Sequence, residues 1–101
     1  MSEAAERYRK AAIESVLGPK GHAAQAQREA AFANHGVAPG ALALIDKVTK
    51  NAWKVNDEDV AGAKAAGVTE DEVFELTVCA AMGQSTRQLD AAMAALEEAT
   101  K

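Results

Sequence analysis

The sequence has almost no pattern typical of a β-strand, and its glycines and prolines fall where helices would begin or end. No stretch alternates β-branched and polar residues over the length of a strand, whereas apolar residues recur every three or four positions in several segments. Gly18-Pro19 and Gly67 follow such segments, and Pro39 stands at the start of one. The sequence therefore predicts an all-α fold.

Two helix starts in the C-terminal half carry strong local signals. Asn56 precedes three acidic residues that would fill the first turn of a helix, and Gly67 supplies a left-handed stop for it. Thr69 with Glu72 forms a capping box for the helix that follows. These signals predict a fourth helix from about residue 57 to 66 and a fifth from about residue 70.

The remaining boundaries complete a prediction of about six helices. The first three are expected at about Glu3–Leu17, His22–Asn34 and Pro39–Lys54. Gly83 is interpreted as the end of the fifth helix, and Ser85 as the cap of a sixth that carries an apolar stripe to about residue 97.

Composition suggests one small domain that assembles with copies of itself. The chain has 101 residues, enough for a single modest core. Hydrophobic residues make up 49% of it but aromatic residues only 4%, and alanine supplies much of the apolar share. Because alanine buries little area per residue, we expect one domain over residues 1–101 and a homo-oligomer.

Charge and patterning argue against several classes of partner. The net charge is −4 and no Lys/Arg cluster is dense, which disfavours nucleic acid. No apolar run approaches 18 residues and no secretory segment is visible, so no membrane partner is expected. A single cysteine cannot form an intrachain disulfide. A cytoplasmic protein without a cofactor is the expectation.

Residues 46–96 resemble the carboxymuconolactone decarboxylase and AhpD-like alkylhydroperoxidase superfamily. The segment AGVTEDEV at residues 66–73, together with the order of the surrounding elements, carries the resemblance. It implies an AhpD-like helical bundle with its core at about residues 38–97. Residues 1–37 carry no signature that matches the family.

The resemblance also exposes a missing motif. In the redox members, a Cys-x-x-Cys pair with a His four residues later precedes the helix that ends in Ala-Gly, and those places fall on Ala52, Val55 and Asp59. None of these side chains can perform the thiol exchange that reduces a peroxide. The decarboxylase branch relies on a His in the same region, where Asp59 stands.

The weak catalytic candidates are therefore Asp59, Lys50 and Arg87. In an apolar pocket the pKa of Asp59 would rise, which would suit an acid or base, and either cation could hold a carboxylate. The alternative interpretations are that Asp59 caps the fourth helix and that Arg87 pairs with Asp90.

A candidate pocket is expected between the third, fourth and fifth helices. Its residues would be Asn51, Ala52, Trp53, Val55 and Cys79. For Trp53 a role as a core or interface anchor is the alternative, and for Cys79 packing as a small hydrophobe. His22 and His35 flank the second helix without further ligands, so no metal site is expected.

Several functions stay open at this point. The chain could be a divergent AhpD-like protein without thiol peroxidase activity that binds a small organic molecule between helices. It could be a non-thiol, lactone decarboxylase-like enzyme that uses Asp59, or a structural helical oligomer. The family as a whole would imply peroxidase or antioxidant activity. Whether the chain is an enzyme, and on which substrate, does not follow from the sequence.

Overall fold

The structure, a computed structural model that describes residues 2–101, consists of helices joined by short loops. The helices are α1 (Glu3–Leu17), α2 (Gln25–Ala33), α3 (Pro39–Asn51), a 3₁₀ turn (Ala52–Lys54), α4 (Asp57–Ala65) and α5 (Glu70–Ala99). Residues 2–101 contain no strand, so the predicted all-α class is confirmed. Over the same residues, no helix combines the length and apolarity that crossing a bilayer would require.

Residues 2–101 form five α-helices and not about six, because α5 runs unbroken through Gly83. The expected cap at Ser85 does not form, and the Ser85 hydroxyl instead donates to the carbonyl oxygen of Met82, 3.0 Å away within the same helix. Gly83 is buried in α5 and lies against the end of α2. Its lack of a side chain serves a close helix crossing, and a helix stop is not needed there.

The second helix begins at Gln25 and not at His22. The backbone N–H groups of His22 and Ala23 donate to the Glu75 carboxylate in α5, so this segment is tied to a different helix before α2 starts. Asn34, in the left-handed conformation with φ of 53°, ends α2. The third helix is likewise shorter than predicted, because its last turn tightens into the 3₁₀ turn.

The starts of α4 and α5 are as the sequence predicted. Asn56 and Asp59 form a reciprocal capping box for α4, and Thr69 and Glu72 form one for α5. Gly67 adopts a φ of 96° and separates the two helices. The local signals are therefore sufficient to fix this helix pair.

The core lies among α2, α3 and the N-terminal half of α5. Ile45 and Cys79 are the largest side chains in the core that are fully buried. Helix α1 has no buried residue and packs along α5 in the antiparallel direction, since Val16 contacts Cys79 whereas Arg9 pairs with Asp90. The C-terminal half of α5 extends beyond the core, which gives the molecule dimensions of 51 × 28 × 20 Å.

Candidate ligand pocket

The five residues of the expected pocket do not line one cavity. Trp53 and Ala52 border a groove between α3 and α5, whereas Cys79 lies in a different pocket on the far side of α5. Val55 packs against the core, and Asn51 ends α3 half-buried. Trp53 is 78% exposed, so it is not a core anchor. The structure thus brings Ala52 and Trp53 together with Lys50 in one groove and places Cys79 in another pocket.

Asp59 borders a groove between α3 and α4 and forms an ion pair there. Its Oδ2 accepts hydrogen bonds from Lys47 Nζ at 2.8 Å and from the backbone N–H of Asn56 at 2.9 Å. The hydrogen bond from Lys47, followed by that from Asn56, lowers the pKa of Asp59 below its ordinary value of 3.8. The ion pair with Lys47 thus shifts this pKa in the direction opposite to the one that an apolar surrounding would produce, and Asp59 is a poor proton donor at neutral pH.

The two candidate cations are also engaged elsewhere. Lys50 pairs with Asp46 one helical turn away, at 3.0 Å. Arg87 donates from Nη1 to the carbonyl oxygen of Phe32 at 2.6 Å, so it caps the last turn of α2. Asp90, the alternative partner of Arg87, instead forms an ion pair with Arg9 at 3.4 Å.

A pocket of about 300 Å³ opens where the end of α1 and the following loop meet α2 and α5. Its walls combine aliphatic, aromatic and charged side chains. The lining residues are Ser15, Val16, Lys20, Gly21, Arg28, Phe74, Glu75, Val78 and Cys79. No catalytic candidate chosen from the sequence belongs to this set.

Arg28 is the polar centre of the pocket and is only 2% exposed. Its Nη1 donates to the carbonyl oxygen of Val16 at 2.8 Å, and its Nε donates to that of Ala23 at 3.1 Å. Among residues 2–101, Nη2 donates to no protein group. A guanidinium carries five N–H donors, so part of its donor capacity is available to a molecule that enters the pocket.

Glu75 stands beside Arg28 but is bound chiefly by other groups. Its carboxylate accepts hydrogen bonds from the backbone N–H of His22 at 2.9 Å, from His22 Nδ1 at 2.8 Å and from the backbone N–H of Ala23 at 3.1 Å. The nearest Arg28 nitrogen is 4.0 Å away. Partial burial raises the pKa of Glu75, but the hydrogen bonds from His22 and Ala23 outweigh it, and the net shift is downwards.

Gly21 permits this close arrangement of charges. A Cβ at this position would stand 2.6 Å from Glu75 Oε1 and 3.0 Å from Arg28 Cζ. A side chain at residue 21 would therefore require the Glu75 carboxylate and the Arg28 guanidinium to shift from these positions. The loop of Gly21 also carries Lys20, whose exposed ammonium group borders the pocket mouth.

Cys79 contributes an inert thiol to the pocket floor. It is 1% exposed, and its Sγ lies 3.7 Å from the carbonyl oxygen of Val16. Burial raises the pKa of the Cys79 thiol above its ordinary value of 9.0, although the charge of Arg28 opposes that rise. The thiol therefore packs as a small hydrophobe, which is the alternative that the sequence had suggested.

Arg28 and Glu75 were not identified as site residues from the sequence. The available signal was Glu75 itself, an acid inside the most apolar helical segment of the chain. Its partners lie 47 to 53 residues away in the sequence, so no local pattern connects them. No cluster of three metal-ligating side chains occurs anywhere in the part of the chain that the structure describes.

Comparisons with protein-family models, with curated proteins and with solved structures find no match to this chain.

Proposed function

We propose that this chain binds a small organic carboxylate with an apolar body in the pocket above Arg28. The observation that carries the proposal is the buried guanidinium, which lines the pocket and keeps Nη2 free of protein partners among residues 2–101. Arginine matches the planar geometry of a carboxylate and holds it through paired hydrogen bonds.

The local balance of charge favours an anion. The carboxylate of Glu75 is already solvated by two backbone N–H groups and by His22. Among residues 2–101, the guanidinium of Arg28, in contrast, donates hydrogen bonds only to neutral carbonyl oxygens. Lys20 adds a second positive charge at the mouth, so the pocket is short of negative charge.

The apolar wall limits what the anion can be. Val16, Phe74 and Val78 contribute apolar side chains to the lining of the pocket. A volume of about 300 Å³ is at the lower end of ligand pockets, which begin at about this size, and roughly twice the cavity that holds benzene. A benzoate-sized or branched aliphatic acid suits both the size and the chemistry.

The proposal treats the chain as a divergent AhpD-like protein without thiol peroxidase activity. The capped helix pair α4 and α5 supports the resemblance, and a cytoplasmic location accompanies it because the lone cysteine gives no sign of an oxidising compartment. Asp59 is tied to Lys47, which gives no support to the alternative of an acid–base enzyme built on Asp59. Binding is therefore the activity that the geometry supports best.

The test is a titration of the protein with benzoate, followed by NMR of the Arg28 Nε–H and the Val78 methyl groups. We expect both signals to shift, with a dissociation constant on the order of 1 mM for so small a probe. Benzamide, which is neutral and of the same shape, should bind less tightly because it lacks the charge that Arg28 recognises.

A pair of charge-reversal variants locates the site. Lys20→Glu should weaken benzoate binding about fivefold, because it removes a cation at the mouth. Lys64→Glu makes the same change in net charge on an exposed part of α4, and should leave binding unchanged. Equal effects of the two variants, equal binding of benzoate and benzamide, or the absence of any shift at Arg28 would each contradict the proposal.

A further inference from the structure

Helix α5 carries a continuous stripe of apolar and small residues along its outer face. Seven residues separated by three or four positions share this face over a rise of about 33 Å. They are Phe74, Val78, Ala81, Ser85, Leu89, Ala92 and Leu96. All are half-buried or exposed, and the two large residues at the ends are 69% (Phe74) and 57% (Leu96) exposed. The face is therefore unpartnered within one chain.

Apolar side chains from other elements flank the stripe. One groove beside it contains Ala12 and Ile13 of α1, and the groove on the other side contains Trp53. Ser85 of α5 borders both grooves. Trp53, which is 78% exposed, thus adds a large apolar surface beside the stripe.

The chain also exposes more area than its mass predicts. Its accessible surface is 6607 Å². A monomeric protein of this mass exposes about 5,400 Å², so the excess is roughly 1,200 Å². One partner in a stable complex typically buries about 800 Å². The excess exposed area is therefore larger than the area that one subunit would bury in a stable dimer.

The pattern of the stripe fits a second copy of the same chain. Phe74 and Leu96 lie eleven residues on either side of Ser85, and both Val78 with Ala92 and Ala81 with Leu89 are also equidistant from it. If two α5 helices pack antiparallel about a two-fold axis at Ser85, Phe74 of one subunit faces Leu96 of the partner subunit. Val78 then meets Ala92 of the partner subunit, and Ala81 meets Leu89 of the partner subunit.

We infer that the chain forms a dimer through antiparallel packing of α5 against α5, with Ser85 at the two-fold axis. Such an interface is isologous, since the same surface is used by both copies. The small residues near the axis let the helices approach, while Phe74 and Leu96 fill the two ends. Phe74 also lines the pocket above Arg28, so the interface would border that pocket.

The mass in solution, measured by size-exclusion chromatography with light scattering, tests the dimer. We expect twice the mass of one chain for the wild type. Ser85→Glu should give a monomer with unchanged helix content by circular dichroism, because two carboxylates would face each other at the axis. The matched variant Ala94→Glu changes an exposed residue on the opposite side of α5 and should stay dimeric. A monomeric wild type, or a dimer that persists in Ser85→Glu, overturns the inference.

A cross-link tests the register and does not depend on how well Ser85→Glu folds. Ser85→Cys should form a disulfide between subunits under mild oxidation, since residues at a two-fold axis bring their Cα atoms within about 7 Å. Ala94→Cys and the wild type, whose Cys79 is buried, should not cross-link. Cross-linking of Ala94→Cys alone, or a larger assembly in which Ser85→Cys stays reduced, would overturn the proposed packing.

Discussion

The carbonyl group of Phe32 in α2 lies directly against the backbone of Gly83 in α5. A Cβ on Gly83 would stand 2.6 Å from the Phe32 carbonyl carbon, closer than side-chain carbons approach other atoms in proteins. Arg87, one turn further along α5, donates a hydrogen bond to the oxygen of the same carbonyl. Gly83 and Arg87 together therefore position the C-terminus of α2 against the middle of α5.

Gly83→Ala should destabilise the fold. The added methyl group would force α2 away from α5, and overpacking of this kind costs about 1–3 kcal/mol even though alanine favours the helix more than glycine does. Urea unfolding followed by circular dichroism measures the change in free energy. An unchanged or higher stability would show that the crossing of α2 and α5 is not as close as described.

Gly62→Ala is the matched control for that substitution. Gly62 lies in α4 with an exposed backbone, and a Cβ there would have no neighbour within 4 Å. The substitution should stabilise the protein by about 0.5–1 kcal/mol, because alanine loses less conformational freedom in a helix. We therefore expect the free energy of unfolding to fall in Gly83→Ala and to rise in Gly62→Ala.

Signals that act over three or four residues could be interpreted correctly from the sequence. Asn56 and Thr69 cap α4 and α5 as predicted, because each side chain bonds to a backbone N–H within its own turn. The left-handed Gly67 between them is equally local. The all-α class follows from the same short-range patterns.

Features that depend on distant contacts were not predictable in the same way. Gly83 gives the same sequence signal whether it ends a helix or admits a neighbouring backbone, and only the position of α2 decides between the two. The pairing of Arg28 with Glu75 joins residues 47 positions apart, and Trp53 faces outwards because a 3₁₀ turn redirects it. The pocket that contains Arg28 and Glu75 therefore could not be predicted from local patterns.

Substitutions of Asp59 separate its capping role from its ion pair. Asp59→Ala removes the acceptor for Asn56 N–H and the partner of Lys47, whereas Asp59→Asn keeps an acceptor oxygen and loses only the charge. Thermal unfolding should therefore give the order wild type, Asp59→Asn, Asp59→Ala from most to least stable. Asp57→Ala, at an exposed neighbouring position, is the control. A more stable Asp59→Asn variant would indicate that the charge of Asp59 destabilises the folded state and would contradict the stabilising role of its ion pair with Lys47.

Cys79 should react slowly with thiol reagents in the folded protein. Its burial and its raised pKa keep the thiolate population low. We expect alkylation by iodoacetamide to be more than about tenfold slower without urea than in urea, since the thiol becomes accessible only on opening of the fold. Peroxide turnover with a thiol reductant should equal that of Cys79→Ala. Robust turnover that is abolished in Cys79→Ala would contradict the proposal that peroxidase chemistry is absent.

His22 makes stability depend on pH through its contacts with α5. Its Nδ1 lies 2.8 Å from Glu75 Oε2, and its Nε2 lies 3.7 Å from Asp71 Oδ2. The hydrogen bond to Glu75, and then the charge of Asp71, raise the pKa of His22 above its ordinary value of 6.5. The folded state therefore binds the proton more tightly than the unfolded state does.

The contribution of His22 should be fully present below pH 6.5 and should be lost as the pH rises through the higher folded-state pKa. Urea unfolding midpoints measured from about pH 5.5 to 8.5 should thus fall for the wild type, most steeply just above the unfolded-state pKa. His22→Gln should flatten this fall, because glutamine can keep a hydrogen bond to Glu75 without titrating. His35→Gln changes a histidine outside the ion pairs formed among residues 2–101. Its unfolding midpoint should fall with pH as that of the wild type does. Identical slopes for wild type and His22→Gln would show that another group controls the pH dependence.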